Sequence, residues 1–263
     1  MFKQGVAISE GNVPILISMP HNGVSIPEDI ANSMTESSKQ VADTDWYLDR
    51  LYDFVTERGC YLIKPEYNRY VIDLNRSDKE ENLYPGQDTT ELCPTTQFNR
   101  QAIYKSGCLP DQKEINRRIE NYWRPYHNQL KDTINKIKNE FGGALLFEAH
   151  SIRSHVPRFF KGKLPDFNFG TYDGNSCSEI LSNSISEWEP KSYSKVVNGR
   201  FKGGYITREY GDPKNNIHSI QLELSQAAYM NEDNLEFEVE KASRVKMELN
   251  KMFDLFFSFI EKI

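Results

Sequence analysis

Cysteine is scarce in this chain of 263 residues: Cys60, Cys93, Cys108 and Cys177 are the whole set, and no two stand in C-x-x-C spacing. That excludes a thiolate zinc cluster and a disulfide framework, and reduced thiols are expected. No apolar run approaches the roughly 20 residues needed to cross a bilayer, so no membrane partner is expected. Blocks of one charge are also missing. The 32 basic and 38 acidic residues are interspersed and leave a formal charge of -6, without the polybasic footprint that nucleic acid requires. Met1-Phe-Lys-Gln-Gly-Val lacks the features of a secretory leader, which makes the cytoplasm the expected location. No internal repeat or low-complexity tract interrupts the sequence. What is present is 38% apolar and 12% aromatic content without a sharp compositional shift. It implies one domain over residues 1–263 that acts on a small molecule.

Two histidines end apolar runs: His21 in Val13-Pro-Ile-Leu-Ile-Ser-Met-Pro-His-Asn-Gly23, and His150 in Ala144-Leu-Leu-Phe-Glu-Ala-His-Ser151. Buried parallel strands read as continuous apolar runs, and ligands of open α/β sheets collect at their carboxyl ends. Helical spacing of Ile115, Ile119, Tyr122, Tyr126, Leu130, Ile134, Ile137 and Phe141, ending at Gly142-Gly143, leads directly into the strand from Ala144. Asp111 is its expected N-cap, and Pro125 should kink or restart it. The alternation predicts an α/β fold with a mixed, mostly parallel sheet and flanking helices.

Elsewhere the pattern predicts a helix over about 45–58 and short strands at Cys60 to Lys64 and Tyr70 to Leu74. Weak strands are expected at Phe167 to Tyr172 and Ser194 to Val197, flanking a short helix near Ser176 to Trp188. Ser219 to Ser225 should be a half-buried strand, and a long C-terminal amphipathic helix should run from Leu235 to Ile260. The polar stretch from Arg76 to about Lys105 has no periodicity, and a loop of that length suits a lid over an active site.

Neutral imidazoles with one carboxylate make a catalytic zinc site with an open position for water. His21 and His150 are the candidate nitrogen ligands, with Ser151 beside them. Asp43 and Asp45 compete for the third place, one as ligand and the other as a helix cap, and Asp45 is preferred as the ligand. Glu148 alternates with His150 and can share its face. Glu223 sits among Ile220, Leu222 and Leu224 on the opposite pleat face, where partly apolar surroundings raise a carboxylate pKa and suit a general base. Arg69, Asn75, Arg76, Arg153 and Arg208 accompany these segments, and several arginines suggest a substrate with two acidic groups. His218 is a candidate substrate or outer contact, His127 a packing residue, and His155 a rim residue.

The motifs Pro20-His-Asn-Gly23, Asp43-Thr-Asp-Trp46, Arg69-Tyr-Val-Ile-Asp-Leu-Asn-Arg76, Leu83-Tyr-Pro-Gly-Gln87, Glu148-Ala-His-Ser151, Gln221-Leu-Glu-Leu224 and Tyr229-Met230 occur in this order. As a set they resemble the N-formylglutamate amidohydrolase family over about residues 13–230, and more remotely aspartoacylase, succinylglutamate desuccinylase and the zinc carboxypeptidases. The resemblance implies a phosphorylase/hydrolase-like fold and one zinc per chain on His21 and His150. It also implies Asn75 and Arg76 at the substrate and Glu223 as base. The carboxypeptidases place a glutamate ligand three residues after the first histidine, where this chain has Val24, so the acidic ligand must come from elsewhere, and the choice stays open between Asp43 and the preferred Asp45.

The expected reaction is hydrolysis of N-formyl-L-glutamate to formate and L-glutamate, within histidine degradation. Arg69 or Arg76 would stabilise the oxyanion, and Arg153 and Arg208 would hold the glutamate carboxylates. The alternatives are a zinc amidase or desuccinylase for another N-acyl acidic amino acid, and a non-catalytic binder of acidic ligands.

Overall fold

A computed structural model describes residues 4–79 and 86–262. Seven strands form one sheet: β1 (Val6–Ser9), β2 (Ile15–Ser18), β3 (Tyr61–Pro65), β4 (Ala144–Ile152), β5 (Phe167–Gly170), β6 (Lys195–Val197) and β7 (Ile217–Ser225). Their spatial order is β1-β3-β2-β4-β7-β5-β6. The four central strands, β3, β2, β4 and β7, run parallel, while β1 and β5 pair antiparallel to their neighbours. This is the mixed, mostly parallel sheet that the alternation of patterns predicts.

The helices are α1 (Glu28–Ala31), α2 (Leu48–Leu51), α3 (Phe54–Glu57), α4 (Gln112–Arg118), α5 (Arg124–Phe141), α6 (Glu179–Glu187), α7 (Tyr205–Tyr210) and α8 (Val239–Ile260). One face of the sheet packs Ile15, Ile17, Leu145, Phe147, Ile220 and Leu222 against α2, α3, α6 and α8, with Phe253 and Phe256 filling the middle. Burying each such side chain contributes roughly 1.5–3 kcal/mol. The other face sets Leu16, Ile63 and Leu146 against Tyr126, Leu130, Ile134 and Ile137 of α5. No helix of the described residues is long and apolar enough to cross a membrane.

Four sequence expectations change. The helix expected over 45–58 is two single turns, α2 and α3, because Tyr47 adopts a left-handed φ of 61° and Tyr52 leaves the helical region. Leu48, Leu51 and Val55 nevertheless face the core, which preserves their helical spacing. With the first turn at Leu48, neither Asp43 nor Asp45 caps a helix.

Tyr70 to Leu74 is a buried loop, not a strand. Its backbone groups are satisfied locally and by side chains: the Val71 N–H donates to Asn68 O, the Asp73 N–H to Leu92 O, and Arg118 Nη1 donates to Val71 O. β7 is buried on both faces rather than one. Its polar face, Gln221 and Glu223, closes a cleft instead of meeting bulk water.

Pro125 does restart its helix. It lacks the N–H for an ordinary turn, and a π-helical turn over Ile119–Trp123 joins α4 to α5. Asp111 caps α4 through the Glu114 N–H as expected.

Candidate metal centre and substrate cleft

The parallel ladder between β4 and β7 sets the site. His150 and Glu223 are directly paired across it, and Glu148 is paired with Gln221, so all four side chains share one face near the carboxyl ends of their strands. β2 ends at Ser18 on the other side of β4 and passes into the loop that carries His21. Gly23 lets that loop pass close to its neighbour, since a Cβ there would lie 2.3 Å from Tyr67 O. Asn68 Nδ2 donates to Gly23 O and to Thr44 Oγ1, and the Asp45 N–H donates to His21 O at 3.1 Å. The segments holding His21 and Asp45 are therefore one hydrogen-bonded unit.

His21, Asp45 and His150 converge with one ligand atom each, all within 4.8 Å of one another, and all three residues are buried. Asp45 Oδ2 lies 3.0 Å from His150 Nδ1 and 3.7 Å from His21 Nδ1, and it also accepts the Ser151 N–H. Each ring's other nitrogen meets a second carboxylate. His21 Nε2 is 2.7 Å from Asp73 Oδ1, and His150 Nε2 is 2.7 Å from Glu148 Oε1. With those contacts donated from Nε2, both rings turn their Nδ1 lone pairs toward Asp45. That is the outer support metal-bound imidazoles need. Asp73 also accepts from Arg69 Nη2 at 2.7 Å, and Glu148 accepts from Thr207 Oγ1. Tyr229 donates to Trp46 O and is hydrogen-bonded to Ser151, tying the Asp45 segment to the end of β4.

The electrostatics agree with a cation. Asp45, Asp73, Glu148 and Glu223 are buried around one buried guanidinium, Arg69. Burial, assisted by the Arg69 charge, lowers the His21 pKa and keeps that ring neutral. Burial acts the same way on His150, but Glu148 and Asp45 outweigh it and hold a proton on the ring when no cation competes. A divalent ion taking that proton's place would balance the acidic cluster, so the donor set fits a metal.

Glu223 makes no side-chain hydrogen bond among the described residues and lines the cleft. Burial pushes its carboxyl up to about 8, with Asp45 and Glu148 adding to the rise against His150 and Arg69. It faces the cleft beside His21, His150, Arg69, Asn75, Arg76 and Arg200. The Asn75 amide nitrogen is 3.1 Å from His150 Nε2, and its oxygen accepts the Ile206 N–H. Arg76 donates to Thr90 O and Asn75 O, and Arg69 Nε is a buried donor with no partner among the described residues. Asp88, Thr89, Thr90 and Phe98, from the loop expected as a lid, form another wall. Leu83 to Pro85 of that loop's motif lie outside the described residues.

The structure does not bring Arg153, Arg208 or His218 to this cleft. Arg153 donates to Glu232 O. Arg208 donates to Gly203 O and packs over Tyr172. His218 lies near the other end of β7, where it accepts the Ser178 N–H, meets Asn216 Oδ1 and packs its ring on Phe259. His155 is exposed and paired with Ser154. His127 is buried, as a packing residue should be. Asp43 accepts from Tyr70 Oη and from the Phe98 N–H, fastening the wall.

Sequence reasoning missed Asp73 and Arg200. Asp73 was concealed in an apolar run read as a strand, although its place in the Arg69 to Arg76 motif was a usable signal. Arg200 stands in a stretch without a motif, and no sequence signal pointed to it.

The family model for N-formylglutamate amidohydrolase matches residues 13–230. The chain is 46% identical over 229 residues to N-formylglutamate deformylase of Pseudomonas putida, covering 86% of this chain and 85% of that one. It is 44% identical over 229 residues to the protein of the same name in Pseudomonas aeruginosa, covering 86% of each. In fold it is similar to the crystal structure of N-formylglutamate amidohydrolase from Ralstonia eutropha JMP134, with a TM-score of 0.80 at 21% identity over 97% of this chain and 98% of that one. A gene product of Agrobacterium tumefaciens has a TM-score of 0.69 at 15% identity over 95% of each chain. On the span of the family match and its identity to these relatives, this chain belongs to the N-formylglutamate amidohydrolase family.

Proposed function

We propose that this chain is a zinc-dependent N-formylglutamate deformylase that hydrolyses N-formyl-L-glutamate to formate and L-glutamate. The observation that carries the reading is the Glu223 carboxylate, which has no hydrogen-bond partner among the described residues and stands opposite His150 in the β4–β7 register, where His21, Asp45 and His150 converge. The name shared by two relatives more than 40% identical supplies the substrate.

His21, Asp45 and His150 would hold one zinc ion per chain. When bound, such an ion polarises the formyl oxygen and lowers the pKa of water toward about 7. Glu223 accepts a proton from the attacking water and passes it to the glutamate nitrogen as the C–N bond breaks, so formic acid and a neutral amine form, and the remaining acid proton passes to the amine or to solvent to leave formate. The Arg69 guanidinium, whose Nε has no partner among the described residues, meets the charge developing on the former formyl oxygen. Asn75 and Arg76 orient the amide and the carboxylate beside it. The reading carries with it the cytoplasmic setting, the place in histidine degradation and the kinship with zinc carboxypeptidases that the sequence resemblance implies.

The test is formate release from N-formylglutamate by purified protein, with metal content measured on the same sample. One zinc per chain and faster turnover of the formyl than of the acetyl or succinyl derivative are expected. Preference for a larger acyl group overturns the assignment.

A further inference from the structure

Resting on that reading, we propose that Gln221 selects the substrate by donating a hydrogen bond from its side-chain Nε2 to the glutamyl side-chain carboxylate. Gln221 is buried, lines the cleft, and stands two residues before Glu223 on the same face of β7. A side-chain amide has an acceptor end and a donor end, and its neighbours decide which one meets a ligand. Here the backbone decides. The Gly204 N–H donates to Gln221 Oε1 at 2.7 Å, which leaves Nε2 as the end that has no hydrogen-bond partner among the described residues. Glu148, opposite Gln221 across the β4–β7 ladder, is bonded instead to His150 and Thr207.

The anchor depends on close backbone approach. On β5 the residue paired with Gln221 is Gly170, and the Gly203–Gly204 backbone fills the space a side chain there would need: a Cβ at Gly170 would collide with Gly203 N. A Cβ at Gly204 would collide in turn with the Asn75 amide. Gln221 and Asn75 therefore pack against the same glycine, and all three line the cleft.

Spacing along the strand selects the group that Gln221 meets. A strand rises about 3.3 Å per residue, so the Cα atoms of Gln221 and Glu223 stand about 6.6 Å apart, and the two side chains are equal in length. With the scissile nitrogen at Glu223, which protonates it, the α-carboxylate carbon is two bonds away and the side-chain carboxylate carbon is four bonds away. Only the second reaches the next residue that faces the cleft. The α-carboxylate stays with Arg76. A buried amide donor on a carboxylate oxygen makes a charge-assisted hydrogen bond, strengthened by the low local dielectric.

The experiment measures kcat/KM for N-formyl-L-glutamate and for N-formyl-L-norvaline, whose side chain ends in a methyl group where glutamate has its carboxylate. Both are measured on a single preparation of each protein, so any inactive fraction cancels in the ratio. The wild-type ratio should favour formylglutamate. Gln221→Met keeps the length of the side chain and removes the donor, and it should lower the ratio about 10–100-fold, the effect of losing a charge-assisted hydrogen bond. Gln221→Glu keeps an acceptor for the Gly204 N–H but puts an oxygen in place of the donor, and it should lower the ratio as well. A residue that merely anchored Gly204 would give the opposite pattern, with the methionine variant slowing both substrates alike and the glutamate variant slowing neither. A ratio left in place by Gln221→Met, or by Gln221→Glu where the methionine variant does not fold, overturns the proposal. Wild-type protein inactive on both substrates defeats the deformylase reading beneath it, a different result.

Discussion

Glu148 Oε1 lies 2.7 Å from His150 Nε2, two residues along the same strand and on the same face of the sheet. Asp73 stands in the same relation to His21, also at 2.7 Å, but from a loop 52 residues away. The two imidazoles are thus aimed by separate carboxylates, and each ring keeps the nitrogen nearer Asp45 available. The strand geometry makes the Glu148 contact nearly obligatory, because side chains at i and i+2 lean over one face.

Glu148→Gln keeps an acceptor for His150 but removes the charge that strengthens the ring as a donor to metal. Zinc affinity, read by competition with a chromophoric chelator, should fall roughly 10–100-fold while far-ultraviolet circular dichroism is retained. Unchanged affinity would show that the contact does not tune the centre.

Glu223→Gln separates chemistry from metal. The variant should keep its zinc and lose about 10²–10⁴ in kcat, since a general base contributes on that scale. It has a second signature in chelator-treated protein. The folded carboxyl sits at about 8, above its ordinary 4.5. Unfolding therefore releases a proton between those values, and wild-type stability contributed by the neutral form is present below pH 4.5 and lost as pH rises to 8. Denaturant midpoints of metal-free variant and wild type should approach one another at low pH, with the variant the more stable at pH 8.

The legible parts of this chain are those where local pattern and tertiary environment agree. Leu145 and Phe147 pack beneath the sheet and Leu146 above it, so β4 reads as a continuous apolar run, and the histidine that ends it is visible for that reason. The same rule misleads at Tyr70 to Leu74. A buried loop is as apolar as a strand, and only its hydrogen bonds to Asn68, Leu92 and Arg118 distinguish the two. The choice between Asp43 and Asp45 was open because both precede a helix. The fold separates them through the Ser151 N–H that Asp45 accepts and the Phe98 N–H that Asp43 accepts. Arg153 and Arg200 were indistinguishable as types, and only the path of the chain decides which faces the cleft.

Gly23 tests whether the His21 loop needs its close backbone approach. An alanine Cβ would meet Tyr67 O at 2.3 Å, a backbone atom that cannot rotate aside. Gly23→Ala should cost about 1–3 kcal/mol as an overpacked site and weaken zinc binding through His21. Urea unfolding and the chelator titration measure the two effects. Wild-type values in both would show that the loop yields without displacing the histidine.

His127 provides a pH test remote from the metal centre. Its ring is stacked on Trp123 with centroids 3.7 Å apart, while Nε2 is 2.9 Å from Leu74 O and Nδ1 is 2.9 Å from Tyr210 Oη. Burial lowers its pKa to about 3, so the folded ring stays neutral where the unfolded one, at 6.5, takes a proton. Above pH 6.5 both states are neutral and there is no penalty. As pH falls toward 3 the unfolded state gains a proton that the folded state refuses, and stability drops by about 1.4 kcal/mol per pH unit. At pH 4.5 the loss from this one group is about 3 kcal/mol. His127→Gln fills much of the same space and can donate to Leu74 O, but it does not titrate. It should be less stable than wild type at pH 7 because the stacking on Trp123 is weakened, yet lose less stability between pH 7 and 4.5. Parallel urea midpoints for the two proteins across that range would show that the ring is protonated in place and that burial does not exclude the charge.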